Sequence, residues 1–175
     1  MRNLARIILR IGLGLLLLLP TQNTEAQETK KERTKGYQGF LELGMTCFTE
    51  KTDEGSFNAS ASLVNGYLFS PCFFAGLGIG YDYYPEEPTA VVLPLYLDFR
   101  YYIRSLRIGR KGSPFINMKT GVMVVLVSDW ISGALYNVPS VGIRWDLGKR
   151  ISVNASVGYA IQGIDGVNIR VGLGF

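Results

Sequence analysis

The chain has little equipment for catalysis. It contains no histidine, so a Ser-His-Asp set cannot be assembled and a histidine metal site cannot form. General acid–base chemistry loses its usual carrier. Asp53, Glu54 and Asp129 are the residues that could gather oxygen ligands for calcium, but their spacing matches no calcium loop. Gly76-Leu77-Gly78-Ile79-Gly80 has the glycines of a phosphate-cradling loop without the helix that must follow one. Two cysteines, Cys47 and Cys72, fall at opposite ends of their segments, too far apart to bridge, and are expected to be free thiols. No cofactor and no enzyme activity are expected.

What remains is a set of charges inside apolar segments: Glu42, Asp82, Asp98 and Asp146 against Arg100, Lys119, Arg144 and Arg170. The signs nearly balance. Buried charge must be paired. Glu42 with Arg170, and Asp98 with Lys119, lie at matching depths on neighbouring segments. Ion pairs filling an interior, with Phe40, Phe74 and Tyr96 adding bulk, are the expectation. A gated ion path is the competing use of the same residues.

The elements that carry these charges have a period of two. In Val167-Asn168-Ile169-Arg170-Val171-Gly172-Leu173-Gly174-Phe175, apolar side chains stand at 167, 169, 171, 173 and 175. Extended backbone sends successive side chains to opposite faces, so one face is hydrocarbon and the other polar. The same alternation marks strands near 37–47, 57–65, 72–84, 90–102, 115–126, 135–147 and 151–162. Pro94 and Pro139 interrupt two of them, and bulges are expected there because proline cannot donate to a ladder.

The front of the chain differs. Arg2, Arg6 and Arg10 precede an apolar run from Ile11 to Leu19, then Pro20 and a small-x-small site at Thr24-Glu25-Ala26. Residues 1–26 read as a cleaved signal peptide. Residues 27–36 are a short polar tail, and 37–175 the barrel. The part after the signal carries a net charge of about +2, too mild for nucleic acid.

Bulk chooses the outer face. The interior of eight strands is narrow and filled by side chains, so rows of Gly, Ser, Asn and charge fit inside while rows of Leu, Val and Tyr do not. A soluble, secreted ligand-binding barrel would need the reverse. Aromatics gather at strand ends: Tyr37, Phe73, Phe99, Tyr101, Phe115, Trp145 and Phe175 at one rim, and Phe57, Tyr81, Tyr83 and Tyr159 towards the other, as interfacial girdles do. With the tail periplasmic, the outward loops hold Glu50, Asp53, Glu54, Glu86, Glu87, Asp129 and Asp165 against Lys51. The inward turns hold Arg104, Arg107, Arg110, Lys111, Lys149 and Arg150. The predicted fold is all-β, an eight-stranded antiparallel up-and-down transmembrane β-barrel.

The signal segment, eight alternating strands and terminal aromatic strand Val167–Phe175 resemble the small outer-membrane barrels of the OmpA/OmpX type, over residues 37–175. The resemblance implies the outer membrane of a Gram-negative bacterium and contact with its lipids. It also implies insertion by the barrel-assembly machinery, which would read Val167, Ile169, Val171, Leu173 and Phe175. The chain departs from OmpA in ending with the barrel, without a peptidoglycan-binding domain. The role expected is structural or surface-interacting, with an unidentified surface or periplasmic protein partner. The alternative is a narrow gated channel for ions or small solutes.

Overall fold

The computed structural model describes residues 35–52, 55–85, 90–106, 112–127, 130–148, 151–161 and 165–175. They form eight strands: β1 Gly36–Thr52, β2 Gly55–Ser70, β3 Phe73–Tyr83, β4 Val91–Tyr102, β5 Gly112–Val127, β6 Trp130–Asp146, β7 Ser152–Ala160 and β8 Gly166–Gly174. Every neighbouring pair is antiparallel, and β1 pairs with β8 to close the barrel. The expected signal peptide and polar tail lie outside the described residues, apart from Lys35 and Gly36.

The stagger follows from the ladder. From Gly36 it passes through Leu68, Phe74, Arg100, Asn117, Ser140, Gly158 and Asn168, and arrives at Thr46, ten residues further along β1. A stagger of this size makes strands tilt by about 40°. The 11 residues of β3 then climb roughly 27 Å at about 3.3 Å per residue, close to the ~25 Å apolar band of such barrels.

Alternation sorts the faces as bulk requires. Leu77 is 69% exposed, Val171 54% and Leu95 44%, while Arg100, Asp98 and Phe74 are at most 2% exposed. The greasy rows therefore point away from the axis. Two outward polar pairs satisfy each other: Tyr37 donates to Asn65 Oδ1 at 2.7 Å, and Thr120 Oγ1 to Asn137 Oδ1 at 2.7 Å. In hydrocarbon neither polar group would find water, so each pair removes an unmet hydrogen bond.

Four expectations change. No bulge accommodates the prolines. Across Pro94 the β3–β4 register is the same at Ile79↔Leu95 and Asp82↔Val92. Across Pro139 the β6–β7 register is the same at Ser140↔Gly158 and Asn137↔Ile161. Each proline pairs normally on its other side, with Met123 and Met118, so each costs one stretch of ladder without slipping it. The register shifts fall elsewhere, between Leu68 and Ser70 and between Cys47 and Thr52.

The β1–β2 hairpin is longer than the hydrophobic pattern, taking in Thr49–Thr52 and Gly55–Ser56; polar residues continue a ladder once apolar neighbours have registered it. The segment Tyr67–Ser70, which falls between the strands expected near 57–65 and 72–84, belongs to β2. Phe115, expected in the outer girdle, faces inward at 3% exposure and packs edge-on against Tyr102 at 5.9 Å, because it shares the parity of Asn117 and Lys119.

Candidate functional site

The inward rows of β1, β4 and β5 bring their charges to mid-barrel. Arg100 of β4 donates Nε to Asp98 Oδ1 at 2.9 Å and Nη2 to Asp98 Oδ2 at 2.7 Å, a two-point clasp two residues away on its own strand. Its Nη2 also reaches Glu42 Oε1 on β1 at 2.8 Å. Lys119 of β5 donates to the other Glu42 oxygen. One carboxylate thus accepts from strands three and four places round the barrel. Asn117 Nδ2 completes Asp98 at 2.7 Å, and Ser140 Oγ donates to Asn117 Oδ1 at 3.0 Å. The Arg100 guanidinium lies 3.9 Å from the Phe40 ring centre, and Phe40 meets Phe74 edge-on at 5.2 Å. Cation–π attraction is strongest where water is excluded.

Glycines make this packing fit. A Cβ on Gly78 would strike the Tyr96 ring, and one on Gly76 would lie 2.8 Å from Phe74 Cζ. The run Gly76–Gly80 is therefore space for lumen side chains. It lies within β3.

The pairings differ in part from those the sequence suggests. Asp98 and Lys119 are register partners, yet Asp98 is clasped by Arg100 and Lys119 turns to Glu42. Arg170 lies opposite Gly44 and hydrogen-bonds to neutral groups in place of an ion pair with Glu42. It donates to Asn168 Oδ1 at 2.8 Å, Ser62 Oγ at 3.3 Å and the Tyr136 hydroxyl at 2.6 Å. Arg144 sits nearer the rim that holds the chain's last strand end. There it binds Asp146 at 2.9 Å and Gln38 Oε1 at 3.2 Å. Sequence reasoning missed the neutral partners Gln38, Asn117, Tyr136, Ser140 and Asn168. Their inward parity was the available signal.

The terminal strand is fixed by its seam. Leu173, Val171, Ile169 and Val167 oppose Leu41, Leu43, Met45 and Cys47. Phe175 exchanges two backbone hydrogen bonds with Gly39, at 2.9 and 3.0 Å, and its ring occupies the space a Gly39 side chain would need. Of the girdle residues, Phe73, Tyr101 and Trp145 are 39%, 50% and 36% exposed, with Tyr37 and Phe99 half-buried on the same outer face. Cys47 and Cys72 are free, on opposite rims. Of the loop charges, Asp53, Glu54, Glu86, Glu87, Arg107, Arg110, Lys111, Asp129, Lys149 and Arg150 lie outside the described residues. The side chains of Glu50 and Lys51 do too. Asp165 and Arg104 are described. Asp53, Glu54 and Asp129, whose spacing matches no calcium loop, are among those outside, and among the described residues no cluster of three His, Cys, Asp or Glu could hold a metal.

A closed eight-stranded antiparallel barrel with bulky apolar rows outside and ion pairs inside is a transmembrane β-barrel in fold, similar to the small barrels of the OmpA/OmpX type. Solved structures share this fold. Neisserial surface protein A superimposes with a TM-score of 0.57 at 9% identity, covering 82% of this chain and 96% of that one. The outer membrane protein OprG from Pseudomonas aeruginosa gives 0.54 at 10% identity, covering 81% and 95%. At such identities the likeness is one of fold. No family model matches the sequence, and no curated protein does.

Proposed function

We propose that this chain is an integral protein of a Gram-negative outer membrane, exported by a cleaved signal peptide, with a lumen closed to solutes and a structural or surface-interacting role. Glu42 carries the reading. It accepts from Arg100 and Lys119 across the barrel, with all three side chains at most 4% exposed. An ion crossing the interior would have to part these pairs or thread past Phe40 and Phe74. Eight-stranded barrels are filled by such side chains. Absence of catalysis rests on the missing histidine. Insertion by the assembly machinery would use the row Val167, Ile169, Val171, Leu173 and Phe175.

Planar-bilayer recording tests the closed lumen. The wild-type barrel is expected to insert and stay silent. Steady conductance in the wild type would replace this reading with the ion path. Incubation with labelled outer-membrane lipid tests the second half: turnover would make the protein an enzyme.

A further inference from the structure

Two groups of inward side chains hold buried polar atoms without a hydrogen-bond partner. Toward one rim these are Asn58 Nδ2, Ser60 Oγ and Asp82 Oδ1. Donors there stand beside a carboxylate acceptor, Ser60 and Asp82 being register partners, so water can join them. The second group, at the rim where β8 ends, differs in kind. Its unpartnered atoms are Gln38 Nε2, Asn154 Nδ2 and Ser152 Oγ, on side chains at most 2% exposed. Every one of them can donate.

These donors share one corner of the lumen with Arg144. Asn154 is the register partner of Arg144, and Ser152 of Asp146. Gln38 Oε1 accepts from Arg144 Nη1 at 3.2 Å, which fixes its Nε2 end as the free donor. Ser152 and Asn154 lean over Gly174 and Gly172 of β8, whose partners Phe40 and Glu42 share the inward row of β1 with Gln38. The carboxylates close by are engaged. Asp146 accepts from Arg144 Nε at 2.9 Å, with half its side chain exposed. Glu42 meets Asn154 across Gly172 but holds Arg100 on one oxygen and Lys119 on the other.

We propose that Arg144, Gln38, Ser152 and Asn154 form a binding site for one small monovalent anion of about the size of chloride. The inference goes beyond the structural role proposed above and requires only the folded barrel. Arg144 supplies the charge. Its pair with the half-exposed Asp146 is screened by solvent, and a guanidinium binds an anion more strongly than neutral donors do. The neutral side chains supply the selection: an anion accepts from several donors at once, whereas water brings hydrogens that need acceptors of their own. The connections that leave this rim carry Arg107, Arg110, Lys111, Lys149 and Arg150, and positive charge at an entrance concentrates anions. Gln38 lies on β1 and Ser152 and Asn154 on β7, the two neighbours of β8. A bound anion would therefore clamp the end of the closing strand from both sides.

Bromide is the probe. Crystals of the full chain in millimolar bromide should show one anomalous peak within hydrogen-bond distance of Gln38 Nε2 and Arg144. In detergent solution the protein should broaden the bromide NMR line. Gln38→Glu keeps the oxygen that Arg144 binds and replaces the free donor with a second acceptor. It should remove the peak and weaken binding about tenfold or more, as a charge-assisted hydrogen bond becomes a repulsion. Val171→Trp, on the outer face of β8, should leave both readings unchanged. Heat-shifted migration on gels checks that each variant folds. If Gln38→Glu does not fold, Ser152→Ala, which removes one donor and little volume, should weaken binding in its place. A wild type that does not shift would defeat the barrel reading itself. A folded wild type with no bromide at this site, with water there instead, or with bromide only at molar concentration overturns the inference. So does equal binding in Gln38→Glu, or in Ser152→Ala where it stands in.

Discussion

Glu42→Gln isolates the tie across the lumen. The amide keeps the shape of the carboxylate, so the packing around it is preserved and the loss is charge. Arg100 remains clasped by Asp98 at two points. Lys119 does not fare so well: among the described residues its ion pair is to Glu42 alone, and it is 2% exposed. Removing one partner of a buried pair costs about 3–5 kcal/mol, because the other charge is left unmatched. Urea unfolding of the barrel in lipid vesicles, followed by tryptophan fluorescence and the heat-shifted band, reads that loss. If the cost is Lys119's stranded charge, adding Lys119→Met to Glu42→Gln should recover much of it. The two changes should then be non-additive by roughly 1–3 kcal/mol. A cost below about 1 kcal/mol for Glu42→Gln, or a double variant equal to the sum of the singles, refutes the reasoning.

Other changes probe other parts. Leu77→Arg puts a cation on the lipid face and should cost about 2–4 kcal/mol near the bilayer midplane; a neutral result by urea titration would place that row against something other than lipid. Gly39→Val pushes the Phe175 ring off the seam, and the overpacking should cost about 1–3 kcal/mol, seen as a lowered unfolding midpoint. Pro139→Val returns a donor to the β6–β7 ladder, and one added hydrogen bond should raise stability by about 0.5–1.5 kcal/mol. Thr120→Val leaves the Asn137 amide oxygen without its partner in hydrocarbon and should cost about 1–3 kcal/mol.

The wall was readable because its cause is local. A period of two, with a difference in bulk between the rows, decides both strand and facing before any tertiary contact forms. Phe115 shows the limit: a strand-end aromatic looks like a girdle residue until its parity is respected. The ends of β1 and β2 escaped because a ladder beyond the membrane needs backbone pairing and no greasy row. The interior was readable in kind and misleading in detail. Depth along neighbouring strands suggested Glu42 with Arg170. A lumen side chain, however, chooses among all the strands that face it. Lys119 reaches a partner four strands round, and Arg170 finds a phenol and an amide. Tyr136 meets Arg170 only when the sheet curls, since their strands are not neighbours; Asn117 and Ser140 are register partners whose inward parity was the trace they left in the sequence.

The cross-lumen contacts also act as spokes. Glu42 joins β1 to β4 and β5, Arg170 joins β8 to β6 and β2, and Arg144 joins β6 to β1. A hoop of hydrogen-bonded strands alone can flatten into an ellipse when lateral pressure rises. Three levels of bracing set at different angles hold the section round, so compression by the bilayer is met by the interior as well as by the wall.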